Sequence, residues 1–209
     1  MRIYTGIPFT EADADKIIEL GLGVMVSSEY QGATGKHVNR VLCECPVALD
    51  NGAYASYTKG FGFDEYGFLK RLSYLMSRKV KFELIACPDI VAGGMDSYKF
   101  SRDWQRRLAG HRNLYLVVQD GMPYTIDLEG FAGIFVGGST KWKWRSAPTW
   151  VYVADHAGIK CHIGRVATAE RLKYADEIGA DSADSTYFVR GKAWHHVEEY
   201  REPRQDKLL

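Results

Sequence analysis

Four polar residues could do chemistry together: Asp50 in ALDNGAY, Asp89 in ACPDIVAGG, Gln119 in LVVQDGM and Asp184 in GADSADST. Each lies at or near the carboxyl end of a short β-rich run. Gly137-Gly138 in GIFVGGSTKWK and Gly164 in HIGRV end two further runs. Carboxylates accept from ring N–H and exocyclic amino groups, while an amide and backbone N–H groups donate to a ring carbonyl. Glycines let the backbone approach such an edge with no Cβ in the way. The set therefore suits a flat heterocycle carrying donors and acceptors on one edge, as guanine does. Tyr54, four residues after Asp50, offers a stacking face. Each signal also has a local reading. Asn51-Gly52 is a type I′ hairpin signal. Pro88-Asp89 and Asp120-Gly121 are turn chemistry, and the glycine pair is a flexible loop. The repetition of polar strand ends in chain order favours one shared site.

In GADSADST the two acids are three residues apart. On a strand they point to opposite faces, so Asp181 and Asp184 cannot share a metal or a role. Asp184, nearer the carboxyl end, is the chemical candidate, and Asp181 is read as structural. The segment TKWKWRS alternates Lys141, Lys143 and Arg145 with Trp142 and Trp144. Read as extended, it sends cations to one side for phosphates and indoles to the other for stacking. Its local reading is a core strand with solvated lysines. Arg165 and Arg190 follow the next two strand ends and are further candidate phosphate contacts. His195-His196 read as exposed helical histidines rather than ligands. Among Cys43, Cys45, Cys87 and Cys161 the only close pair is Cys-x-Cys, so neither a structural zinc site nor a disulfide framework is expected. Buried, inert thiols are the expectation.

The elements that must position these residues follow from periodicity. Eight β-rich runs occur at 2–6, 23–27, 46–50, 82–88, 113–119, 132–137, 159–164 and 181–185. Helical patterns lie at 10–20, 64–78, 96–109, 147–157, 168–178 and 192–200. No helix is expected between 27 and 46, nor between 119 and 132. Alternation of strand and helix implies a parallel sheet. Eight strands predict a compact (β/α)8 barrel, the TIM-barrel class of α/β fold, in a single domain over 1–209 with some helices short or missing. The rival is an open doubly wound sheet, which lacks the Gly-x-Gly-x-x-Gly turn. In either fold the site sits beyond the carboxyl ends of the strands. The net charge of +1 in 209 residues confines any nucleic-acid surface to a local patch. No apolar run spans a membrane and no signal-peptide pattern opens the chain, so a cytoplasmic protein is expected.

These segments, in this order, resemble the tRNA-guanine transglycosylase superfamily. LDNGAY is similar to that family's Asp-Ser-Gly-Gly-Phe-Gln, VVQDG to Val-Gln-Gly-Gly and FVGGS to Gly-Gly-Leu-Ala-Val-Gly. HIGRV is similar to Met-Gly-Val-Gly, and GADSADST to Gly-x-Asp-x-Phe-Asp-Cys. VMVSSEY loosely resembles an early Asn-Thr-Tyr-His strand. The resemblance spans roughly residues 23–190. It implies base exchange through a covalent glycosyl-aspartate, with Asp184 as nucleophile and Asp50 as general acid/base. It further implies that Asp89, Gln119, Gly137 and Gly138 bind the guanine-like edge and that Tyr54 and Ile163 sandwich the ring. The family's Cys-x-Cys-x-x-Cys…His zinc subdomain is missing after the nucleophile strand. That favours the DNA branch, the DpdA-type 7-deazaguanine transglycosylases of phages and bacterial genomic islands, over the tRNA enzymes. The implied partners are DNA and a free 7-deazaguanine (preQ0-like) base, with no cofactor. A catalytically silent base-binding module is the reading from another class.

Overall fold

The computed structural model describes residues 1–27 and 35–202. Eight strands, β1 (Arg2–Gly6), β2 (Gly23–Ser27), β3 (Val47–Asp50), β4 (Phe82–Ala86), β5 (Leu114–Val118), β6 (Gly133–Val136), β7 (Lys160–Ile163) and β8 (Ser182–Ser185), pair in parallel with their sequence neighbours. β8 returns to β1, so the sheet closes into a (β/α)8 barrel and the open-sheet alternative falls. Closure explains the strand composition: both faces are covered, so LYLVV of β5 is buried at every position. Several strands stop one or two residues short of the apolar runs that announce them. The polar residues at those ends have left the ladder, which puts Asp89 and Gln119 just past β4 and β5.

The helices are α1 (Glu11–Glu19), α2 (Lys36–Glu44), α3 (Ala53–Thr58), α4 (Glu65–Ser77), α5 (Met95–Arg107), α6 (Thr140–His156), α7 (Ala169–Glu177), α8 (Tyr187–Arg190) and α9 (His195–Arg201). Thr10, Asp64 and Thr168 cap α1, α4 and α7 through side-chain oxygens, as their sequences suggest. Three elements correct the sequence reading. α2 fills the 27–46 interval expected to lack a helix; it buries Val38, Val41 and Leu42 but has no side-chain cap to announce it. Asn51-Gly52 makes no hairpin: Gly52, at φ 78°, turns β3 directly into α3. α6 begins seven residues before the expected helix and takes in the whole Lys/Trp segment. As a helix, that segment buries Lys143, Ser146, Ala147, Trp150, Val151 and Ala154, a stripe of spacing three to four that overrides its period-two alternation. Between β5 and β6 the chain runs as turns, and buried Met122, Ile126 and Phe131 fill the layer instead of a helix.

The core has two layers. Inside the barrel, Tyr4, Met25, Ala48, Leu84, Ala86, Tyr115 and Val117 pack together with Phe135. The larger layer between barrel and helices includes Ile17, Phe68, Trp104 and Trp150. Cys87 and Cys161 are buried, and burial pushes both thiols up, but Cys43 is exposed. His195 is exposed as expected, whereas His196 is half-buried. Among the described residues no helix is long and apolar enough to cross a membrane.

Candidate active site

The carboxyl ends of the strands surround a cavity of about 900 Å³. Asp50, Asp89, Gln119, Gly137, Gly138, Asp184 and Tyr54 all line it, so the dispersed strand-end signals converge on one mouth. Residues 28–30, the end of the VMVSSEY segment, lie outside the described residues.

Asp184 is held from below. Period two along β8 sends Ser182 and Asp184 to the same side, against His162 of β7. His162 is fully buried; its Nε2 lies 3.0 Å from Asp184 Oδ1 and its Nδ1 lies 2.8 Å from Ser182 Oγ. A carboxylate only accepts, so Nε2 is assigned the proton and Nδ1 accepts from the hydroxyl. Phe135, with ring centroids 4.4 Å apart, and Tyr4, at 6.0 Å, confine the imidazole. The backbone N–H of Arg165 donates to the same Oδ1 at 3.2 Å. Oδ1 therefore has two donors. Among the described residues Oδ2 has none, and the carboxylate faces the cavity. The serine, histidine and aspartate have the composition of a hydrolase triad but the reverse placement. Ser182 is at the closed end, so the aspartate and not the serine faces the cavity. Asp181, at the other end of the strand, accepts the Cys161 N–H at 2.7 Å, a structural contact.

Across the mouth a second network holds Asp89. Asn51 Nδ2 donates to Asp89 Oδ1 at 2.9 Å and to the Cys87 carbonyl at 2.7 Å. Its own Oδ1 accepts from Ala53 N–H at 2.8 Å, which also sets the start of α3. Gln119 Nε2 lies 3.2 Å from Asp89 Oδ2, 2.9 Å from the Ile90 carbonyl and 2.8 Å from Ser97 Oγ. A flipped amide would set its oxygen against two acceptors, so this orientation is chemically required. This changes the role of Gln119: its amino group is occupied in holding Asp89 and is not available for a ring carbonyl. Burial pushes Asp89 up to about 7, with Asn51 lowering it and the Asp50 charge raising it. Burial and the neighbouring Asp184 charge push Asp50 up to about 6, against the backbone N–H groups of Asn51 and Gly52 and the Ser27 hydroxyl. Asp120, also at the mouth, is lowered despite its burial because Ser139 donates to it through both N–H and hydroxyl.

No protein-family model and no curated protein matches this chain.

The remaining expected site residues divide. Gly138, at φ 70°, and Gly137 line the cavity as expected. Ile163 does not: it is fully buried in the layer beneath the helices, because β7 turns His162 inward and Ile163 outward. The ring that lines the pocket beside the glycines belongs to Phe135. Lys143 is no phosphate contact, since it is buried and its ammonium donates to the carbonyls of Gly164 and Arg165. Burial brings it down to about 8, Arg165 lowering it further and Asp184 opposing. Trp142 is half-buried and packs against the core, while Lys141 and Arg145 are exposed on α6. Arg165 does face the mouth: its guanidinium stacks on Tyr54, 4.5 Å from the ring centroid, and donates to the Gly138 carbonyl. Arg190 lines the rim. Sequence reasoning missed His162, Asn51 and Phe135. Two of them carried a usable signal: Phe135 and His162 stand two residues before the strand-end glycines Gly137 and Gly164, and so share their inward face. No group of three or more His, Cys, Asp or Glu side chains among the described residues could hold a metal ion.

Proposed function

We propose that this protein is a DNA guanine transglycosylase, which replaces guanine in DNA with a 7-deazaguanine base through a covalent glycosyl-aspartate. The observation that carries this reading is the asymmetry of Asp184: Oδ1 takes two hydrogen bonds while Oδ2 is open to a cavity whose far wall presents Asp50 and Asp89. An aspartate anchored by one oxygen and bare at the other is placed for nucleophilic attack.

In the first step an Oδ2 lone pair attacks C1′ of the target nucleotide. The C1′–N9 bond breaks, its electrons leave with guanine, and the Asp50 carboxyl proton passes to a ring nitrogen. In the second step the incoming base gives its N9 proton to the Asp50 carboxylate, N9 attacks C1′, and Oδ2 leaves as carboxylate. Two displacements retain the anomeric configuration. A carboxyl held near pH 6 suits a group that must give and then take a proton at neutral pH. Asp89, gripped by Asn51 and Gln119, is set to accept from the N–H edge of the base, and Tyr54 and Phe135 supply ring faces.

The test uses an oligonucleotide carrying labelled guanine together with a free 7-deazaguanine. Release of label and incorporation of the new base are expected, with a covalent adduct on a denaturing gel that Asp184→Asn abolishes. Exchange on tRNA but not DNA would move the protein to the tRNA branch. Abasic sites without exchange would make it a hydrolytic glycosylase, and binding with no reaction would leave a silent module.

A further inference from the structure

With Lys143 buried and the tryptophans of α6 packed, the nucleic-acid surface must lie elsewhere on the mouth. The cavity, at about 900 Å³, lies near the top of the range of about 300–1,000 Å³ usual for ligand sites. Its chemistry also changes with depth. The floor holds carboxylates, which suit the N–H edge of a base. The rim holds Lys59, Arg165 and Arg190, which suit phosphate. The wall between them is α3, which presents Tyr54 and Tyr57, 51% and 53% exposed, with Phe61 70% exposed three residues beyond. Because Gly52 passes β3 straight into α3, this aromatic wall and Asp50 belong to one short piece of chain.

We propose that the α3 ledge, with Tyr57 as its stacking face and Lys59 as its phosphate contact, seats the single-stranded DNA flanking the nucleotide in the cavity. The inference rests on the transglycosylase reading and names the form of its substrate. Exposed aromatic faces beside cations are the equipment for unpaired bases. Bases in a duplex already have their faces stacked, and extruding one carries a cost that a single strand avoids. The charge order, acid below and base above, fits a nucleotide entering base first.

The test is equilibrium binding of a labelled single-stranded DNA of about a dozen nucleotides, followed by anisotropy, with full-length protein. Tyr57→Ala should weaken binding about 5- to 150-fold, and Tyr57→Phe should leave it within about twofold, since only the ring face is used. Lys59→Ala should reduce the slope of log affinity against log salt by about one. In exchange assays Tyr57→Ala should raise KM for DNA with kcat little changed. Far-ultraviolet circular dichroism checks that the variants fold. Wild-type affinity in Tyr57→Ala, or tighter binding to the matching duplex or to single-stranded RNA, would overturn the ledge even if base exchange is observed. Ledge-dependent DNA binding without any base exchange would uphold the ledge and sink the transglycosylase reading instead.

Discussion

In the proposed mechanism the chemistry at Asp184 depends on what its two oxygens touch. His162 holds Oδ1, which leaves Oδ2 as the attacking oxygen of that mechanism. His162→Leu should slow formation of the covalent adduct by about 100-fold, the usual loss when a preorganised donor is removed from a site. His162→Gln, which keeps an N–H donor at the distal position, should recover most of it. Single-turnover quench experiments separate the two, and equal losses would reduce His162 to packing. On the opposite wall, Asn51 lowers the Asp89 carboxyl by donating to it. Asn51→Ala should raise that carboxyl further. Because the proposed contact from Asp89 to the base needs the anion, the acid limb of base affinity should move to higher pH. Titrating 7-deazaguanine binding across pH 5–9 measures the displacement.

At the scale of elements, α6 is tied to the site through Lys143, whose ammonium holds the Gly164 and Arg165 carbonyls. Arg165 sits at φ 57°, unusual for a side-chain-bearing residue, and its N–H is one of the two donors to Asp184. Lys143→Met leaves those carbonyls unpartnered and should cost about 1–3 kcal/mol in urea unfolding, with a parallel loss of adduct formation. The same helix marks the limit of what the sequence discloses. Its alternating Lys and Trp imitate a strand, because the ammonium that makes Lys143 a core residue finds its carbonyls on a distant turn. α2 is hidden for a different reason: its N-cap is Gly35, which has no side chain to announce the helix. The eight strands were legible because apolar runs covered on both faces leave a continuous signal. The strand-end residues were legible because polar groups there interrupt it. The partners of those residues, Asn51 to Asp89 and His162 to Asp184, meet only when neighbouring parallel strands pair, β3 with β4 and β7 with β8.

For the whole molecule, the acidic mouth couples stability to pH. In the folded chain Asp50 and Asp89 keep their protons up to about 6 and about 7, whereas unfolded aspartates release theirs near the ordinary aspartate value of 3.8. Between those limits the folded state binds more protons, so stability falls as pH rises. Asp13 and Asp120 are held low by hydrogen-bond donors despite their burial, and they act in the opposite sense, losing their contribution only as pH falls below the ordinary aspartate range. The melting temperature should therefore be higher at pH 5 than at pH 8 by a few degrees, about 2–4 °C for each kcal/mol. The double variant Asp50→Asn, Asp89→Asn should flatten that dependence, as calorimetry across the range would reveal. The imidazole beneath Asp184 has one more effect. With His162, Phe135 and Tyr4 filling the barrel below it, the ester on Oδ2 that the proposed mechanism forms would be sealed from behind and would meet solvent through the mouth. The incoming base enters by the same route. Water and base then compete for one doorway, so the leak to abasic product should shrink as free base is raised and vanish at saturation.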